Sequence, residues 1–228
     1  MPKFGHDISS ALDDGAVSTL VEDREFFQWT AHAQVDKFTA AQEAEAILIG
    51  VADGRITVDE EGLVEGPLGI ILKENFTPYE TVHSEGNLLT RLGKKRLIDR
   101  FVETASNVGI KSTTGRIGTG NSATAAVDTD TDLGAAAGSA NRQFQMLDSA
   151  PTVGTGASSG VGTFVSTFGT GVGNYAWAEW GIDGGTAAGT TVTADTNTTP
   201  GLINHKITAL GTKTSAASWV FTVTITIT

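Results

Sequence analysis

The chain has 228 residues, 39% of them apolar, no cysteine and a formal net charge of -11. That length can bury a core without covalent staples. The missing cysteine excludes a disulfide framework, a thiolate metal site and a cysteine nucleophile, and the acidic balance argues against nucleic acid, whose binding rests on Lys and Arg at phosphates. The opening residues Met1-Pro2-Lys3-Phe4-Gly5-His6-Asp7 carry no apolar signal core, and no run reaches the length of a membrane helix, so neither secretion by an ordinary signal nor a membrane partner is expected.

Charge is unevenly spread. Residues 1–106 hold 10 Lys and Arg against 19 Asp and Glu, whereas residues 107–228, rich in Gly, Ala, Ser and Thr, hold 5 against 7. A shift of this kind predicts a domain boundary.

In chain order, Val17, Leu20, Val21, Phe27, Ala31, Val35 and Phe38 follow near-helical spacing and predict a helix over 17–38. Thr39 with Gln42 three residues later forms a capping-box pattern, so a second helix should start there, run through Glu43, Ala44, Ile47 and Leu48, and stop near Asp53-Gly54. Arg55–Val58 and Leu68–Leu72 read as short strands around an acidic loop, with Pro67 restricting the second to an edge or a strand start. Leu88, Leu89, Leu92, Leu97, Phe101 and Ala105 predict a third helix over Glu85–Ala105. Gly93 calls for a kink or close packing within it.

From Ile110 onward helical periodicity gives way to short apolar runs between glycine-rich turns, the punctuation of an all-β domain. Phe144, Phe168, Tyr175, Trp177, Trp180 and Trp219 supply too much aromatic area for a disordered linker. The final segment alternates strictly: Trp219, Phe221, Val223, Ile225 and Ile227 share one side and threonines dominate the other. Such a strand needs pairing on both edges, by its own sheet or another chain. The fold class expected is α+β: a mixed, helix-containing N-terminal segment, then an all-β sandwich or jelly-roll-like domain. The divisions expected are 1–83, a connecting helix over 84–106, and the β-domain over 107–228.

Candidate chemistry is sparse. Asp53-Gly54-Arg55-Ile56 through Glu60 imitates the back of an EF-hand loop, but its first and third positions would be Ile49 and Val51, which have no ligand oxygen. Asp128, Asp130 and Asp132 alternate as calcium ligands do, yet no glycine follows Asp132 and Ser139 stands where the closing acid belongs. They are weak metal candidates. Glu179 lies between Trp177 and Trp180, but a second carboxylate placed for glycoside hydrolysis is lacking, so the segment reads as a core or interface strand with one polar anchor. His6, His32, His83 and His205 stand singly, and no nucleophile elbow, phosphate loop or dinucleotide fingerprint occurs. No catalytic residue and no cofactor is expected. Lys94-Lys95-Arg96 is a basic cluster suited to a solvated helix face or to an acidic neighbouring subunit. Tyr175, Trp177, Glu179, Trp180 and Trp219 complete the interface candidates, because this much apolar and edge surface predicts an oligomer.

Glu85-Gly86-Asn87-Leu88-Leu89, Arg116-Ile117-Gly118-Thr119-Gly120-Asn121-Ser122, Thr131-Asp132-Leu133, Thr167-Phe168-Gly169, Asn174-Tyr175-Ala176-Trp177-Ala178-Glu179-Trp180-Gly181, and Lys206 through Thr214 with the terminal strand occur in that order, the turn into that strand reading Leu210-Gly211-Thr212-Lys213-Thr214-Ser215. In wording and order they resemble a family of tailed-bacteriophage virion structural proteins over roughly residues 84–228. Residues 1–83 lie outside the resemblance. Members of that family are variously head decoration, head fibre or minor tail proteins, and what the resemblance implies is a non-enzymatic virion component. The expected role is a decoration protein on the capsid exterior, assembled in the host cytoplasm, with the major capsid protein and sister subunits, as a homotrimer, for partners. Residues 1–83 would be the variable docking segment. A minor-tail, tail-fibre or receptor-binding adhesin role and a non-phage carbohydrate-binding module are the alternatives.

Overall fold

A computed structural model describes residues 29–101, 110, 114–194 and 201–228. The chain is β-rich, with three helices among the described residues. The first described element is a strand, β1 (Trp29–Thr39), followed by helix α1 (Ala40–Ala52), the hairpin β2 (Thr57–Val58) and β3 (Val64–Glu65), and helix α2 (Leu68–Asn75). Then come β4 (Glu80–Glu85), β5 (Leu88–Leu89), α3 (Arg91–Phe101), β6 (Arg116–Gly120), β7 (Arg142–Met146), β8 (Thr152–Val153), β9 (Val161–Phe168), β10 (Ala176–Asp183), β11 (Asn204–Thr212) and β12 (Ala217–Ile227).

Two five-stranded antiparallel sheets result, in the orders β4-β1-β12-β9-β8 and β5-β11-β10-β6-β7. They share one apolar core: Ala31, Ala33 and Val35 of β1 with Trp219, Phe221 and Val223 of β12 meet Ile117 of β6 and Trp177, Trp180 and Ile182 of β10. The terminal strand therefore has its edges filled within the chain. β1 pairs along all eleven of its residues, from Trp29 opposite Ile227 to Thr39 opposite Ala217, and β9 pairs on the other side. The expected alternation holds, with Trp219, Phe221, Val223 and Ile225 turned into the core.

The helix expected over 17–38 is corrected over residues 29–38, nearly half of it. Residues 29–39 form β1, because Ala31, Ala33 and Val35 also satisfy a period of two, and pairing with β12 and β4 decides for the strand. Residues 17–28 lie outside the described residues. Nor does the composition shift near residue 107 mark a break in pairing, since β1 and β4 lie in one sheet with β9 and β12.

α1 starts as its capping box predicts. The Gln42 N–H donates to Thr39 Oγ1 at 3.2 Å and the Thr39 N–H to Gln42 Oε1 at 2.8 Å. It stops at Asp53, with Gly54 at φ +70°. Leu68–Leu72, expected as a strand, is helical instead: Leu68, Ile71 and Leu72 are buried at spacings of three and four, the signature of one helix face. α1 and α2 cover the outer face of the first sheet, where Ala46, Ile56, Ile71 and Leu72 close over Phe38 and Val220.

The third helix starts later than expected, and residues 102–105 of that expectation lie outside the described residues. Leu88 and Leu89 instead pair with His205 and Asn204, and α3 begins after Thr90, whose hydroxyl accepts the Gly93 N–H at 3.0 Å and donates to Leu202 O at 2.6 Å. Gly93 marks close packing as anticipated: a Cβ there would lie 2.2 Å from Ile203 O.

Candidate functional site

The second sheet carries buried charge on the face turned away from the shared core. A bulge in β10 between Trp177 and Glu179 resets the alternation, so that Trp177 and Trp180 both enter the core while Glu179 and Asp183 point outward. Both acids are nonetheless 0% exposed, because the β6–β7 loop and the segment 184–194 fold over them. Burying a carboxylate is costly unless it is paired and hydrogen-bonded, and each partner set can be named.

Glu179 accepts the Ala135 N–H on Oε1 at 2.7 Å and the Gly134 N–H on Oε2 at 2.8 Å. Its Oε2 also lies 2.8 Å from His205 Nε2, while His205 Nδ1 lies 2.7 Å from Asp130 Oδ2. The imidazole thus bridges two carboxylates. Burial opposes charge on His205, but the hydrogen bonds to Glu179 and Asp130 outweigh it and raise its pKa above the ordinary 6.5. Gly120 makes room for this arrangement, since a Cβ there would sit 2.2 Å from Glu179 Oε1.

Asp183 is paired with Arg116 of β6 through Nε to Oδ1 at 2.9 Å and Nη2 to Oδ2. The same guanidinium donates to Ala187 O and Thr191 O and stands over the Phe144 ring at 4.7 Å. Arg142 ties Asp132 at 2.8 Å, Thr190 O at 2.6 Å and Ala135 O at 3.1 Å. These two arginines fasten both covering segments to β6 and β7.

Lys213 closes the other end. It is 1% exposed and donates to Gly169 O at 2.7 Å and Asn174 Oδ1 at 3.0 Å, fixing the β9–β10 connection. Burial lowers its pKa to about 8, against the attraction of Glu43. Asp148 pins the start of α2 to β9 through the Gly69 N–H and the Thr167 N–H and hydroxyl, and desolvation still pushes its carboxyl up to about 7.

The residues singled out from sequence fall as follows. Asp128, Asp130 and Asp132 do not converge on one point. Asp128 meets Arg91 and Lys94, Asp130 meets His205, and Asp132 meets Arg142. Among the described residues no group of three or more His, Asp or Glu is placed to hold a metal ion. Tyr175, Trp177, Trp180 and Trp219, expected at an interface, are corrected to core residues at 7%, 1%, 0% and 2% exposure. Trp177 packs edge-on against Phe168 and Trp219 at centroid distances of 4.7 Å. Glu179 is likewise internal. Of the basic cluster, Lys94 faces Asp128 and Lys95 pairs with Asp99 one turn on, so both meet acids of their own chain; Arg96 is half-buried.

The Glu179-His205-Asp130 line has the look of a proton relay, but both ring nitrogens are taken by carboxylates and the ring is 2% exposed. No nitrogen is left to serve a reacting group, so its geometry suits fastening a loop. Two clefts open nearby. One of about 510 Å³ between α3 and β5 is lined by Trp29, Leu88, Leu89, Leu97 and Ile98 with Asn87 and Lys94. A shallower one of about 590 Å³ lies among Ala123, Ala125, Ala126, His205 and Lys206. Neither brings together a nucleophile and a free base.

Arg116, Arg142 and Lys213 are not singled out as site residues from sequence, His205 reads there as a lone histidine, and Asp183 is set aside as a second acid for Glu179. Scarcity was the available signal: with so few charges after residue 107, each ionised group in a strand is a candidate for a buried pair. Comparison with family models, with curated proteins and with solved structures returns no match. Among the described residues no helix is long and apolar enough to cross a membrane.

Proposed function

We propose that this chain is a non-enzymatic structural protein of a tailed-bacteriophage particle, a β-sandwich decoration protein on the capsid exterior that binds the major capsid protein and stabilises the shell. The observation that carries the reading is where the virion-like motifs lie. Arg116–Gly120, Ala176–Gly181 and Gly211–Ser215 supply the core, the buried pairs and the loop anchor Lys213, and none of them lines a reactive cavity. Those stretches serve construction, as expected where family likeness reflects a shared scaffold.

The buried tryptophans weigh against the two sugar-binding alternatives. A receptor-binding adhesin or a carbohydrate-binding module would expose aromatic faces as a platform; Trp177, Trp180 and Trp219 are inside, and of the four tryptophans Trp29 alone, half-buried, lines a cleft. Sister subunits, as a homotrimer, stay in the proposal on the resemblance alone, because the edge of β12 and the tryptophans that also argued for an oligomer are filled and covered by the chain itself. The proposal therefore keeps the capsid partner, the particle surface as location and host cytoplasm as the place of assembly. Nucleic acid and membrane are not proposed as partners.

Quantitative mass spectrometry of purified particles tests this. Hundreds of copies per particle are expected. A count in the low tens moves the chain to the tail, and absence from particles overturns the proposal.

A further inference from the structure

We infer that the outer face of α1 together with the β2–β3 hairpin is a docking surface for a protein whose contact patch is apolar at its centre and basic at its rim. A helix lying on a sheet normally shows solvent a charged face, and one that is apolar all round is buried. α1 breaks that rule. It turns Glu43, Ala46 and Gly50 inward, while Ala41, Ala44, Glu45, Leu48, Val51 and Ala52 are all exposed, and Glu45 is the single charge among them. Leu48 is 71% exposed and Val51 48%.

The hairpin extends this patch. The Arg55 and Ile56 N–H groups both donate to Gly50 O, at 2.8 and 3.0 Å, so the turn out of α1 is fixed and the hairpin leaves from the helix end. Val58 and Leu63 on it are 45% and 59% exposed. Exposed apolar side chains gathered on two adjoining elements mark an interaction site.

Charge identifies the partner. Glu45, Asp53, Asp59, Glu60, Glu61 and Glu65 are exposed on the helix and hairpin. Arg55, the one base among them, is held by Asp53 and Glu74. Two copies meeting through this same face would bring like charges together, and an anionic membrane or a nucleic acid would be repelled. A protein surface with Lys or Arg around an apolar centre is complementary, and such rim charges steer association and make it salt-sensitive. This deepens the proposed function by naming the face that meets the shell.

The test compares wild type, the double variant Leu48→Glu/Val51→Glu, and Val153→Glu, which places the same charge on an exposed position of β8. All three should melt alike, since the altered side chains lie on the surface. Copies per purified particle should fall about tenfold or more in the double variant and stay at the wild-type level in Val153→Glu. Equal incorporation of the double variant overturns the docking face while leaving the virion reading intact. Wild type absent from particles sinks the virion reading instead. The face is then decided by a photo-crosslinking amino acid at position 48 in the cell that produces the protein. A crosslinked peptide that is basic and apolar upholds it, whereas a second copy, an acidic peptide or no crosslink overturns it.

Discussion

The two sheets turn similar apolar faces toward one another, yet their outer faces are covered in opposite ways. Over the first sheet lie helices α1 and α2, held by side chains such as Ile71, Leu72 and Val220. The second is covered by irregular segments, held by Arg116 with Asp183, Arg142 with Asp132, and His205 between Glu179 and Asp130. A helix satisfies its own backbone and needs only an apolar stripe to dock. A loop does not, and its carbonyls and N–H groups must find fixed partners if it is to be buried. Arg116 and Arg142 supply donors to five such carbonyls, Ala187, Thr191, Leu133, Ala135 and Thr190. Buried charge occurs on both sides, since Asp36 pairs with Lys73 of α2 and Asp148 accepts the Gly69 N–H, but over the second sheet it takes the place that apolar seating holds over the first.

The largest expected effect breaks the loop-covered side. Arg116→Ala should cost about 3–5 kcal/mol in urea denaturation, because it strands Asp183 without a counter-charge. Replacing both partners, Arg116→Met with Asp183→Leu, should recover a large part of that. Equal losses in the single and double variants would show that the pair is not what holds the segment.

On the helix-covered side Ile71→Ala should cost about 2–5 kcal/mol through lost burial and the cavity left behind, and Ile71→Val only about 0.5–1.5 kcal/mol. A graded response there, set against the all-or-none response at Arg116, is the sharpest statement of the contrast. Hydrogen exchange on each variant locates the opening, which should be confined to α1 and α2 for Ile71 and to residues 184–194 for Arg116.

The gentlest perturbation is pH. Asp148, raised from 3.8 to about 7, binds its proton more tightly in the folded state, so stability falls as pH rises between those values. His205 is also raised, so its contribution is complete below about 6.5 and is lost as pH climbs through the folded value. Lys213, lowered from 10.5 to about 8, acts with the opposite sign, and its cost is relieved above pH 8. A melting temperature that declines through neutrality and partly recovers in alkali is expected. In His205→Gln the decline above pH 6.5 should flatten; a slope unchanged in that variant would remove His205 from the account.

What the sequence made legible was local. Thr39 and Gln42 announce the start of α1 because a capping box involves four residues, and the alternation from Trp219 onward announces β12 because period two needs no partner to be seen. Short apolar runs were ambiguous. Ala31, Ala33 and Val35 suit both a helix and a strand, and only β12, from the far end of the chain, selects the strand. Leu68–Leu72 is likewise a five-residue run whose helical form follows from seating on Phe38 and Val220. The buried pairs were out of reach for a different reason: Arg116 and Asp183 are 67 positions apart, Asp130 and His205 75. No local pattern links groups so distant, and the tryptophans looked available to a partner because the sheet that covers them could not be seen in their own segment.

The place of β12 between β1 and β9 sets an order of events in synthesis. β1 is among the first described elements to be made, yet the strand it pairs along its whole length arrives roughly 180–200 residues later. β9 waits for the same strand. Until β12 emerges, two apolar ribbons with unsatisfied edges must stay apart, and closure of the first sheet comes as one late step. Such long-range pairing is slow and exposes nascent chains to misassembly, so overproduction should be limited by the time spent waiting for the central strand more than by the stability of the finished molecule.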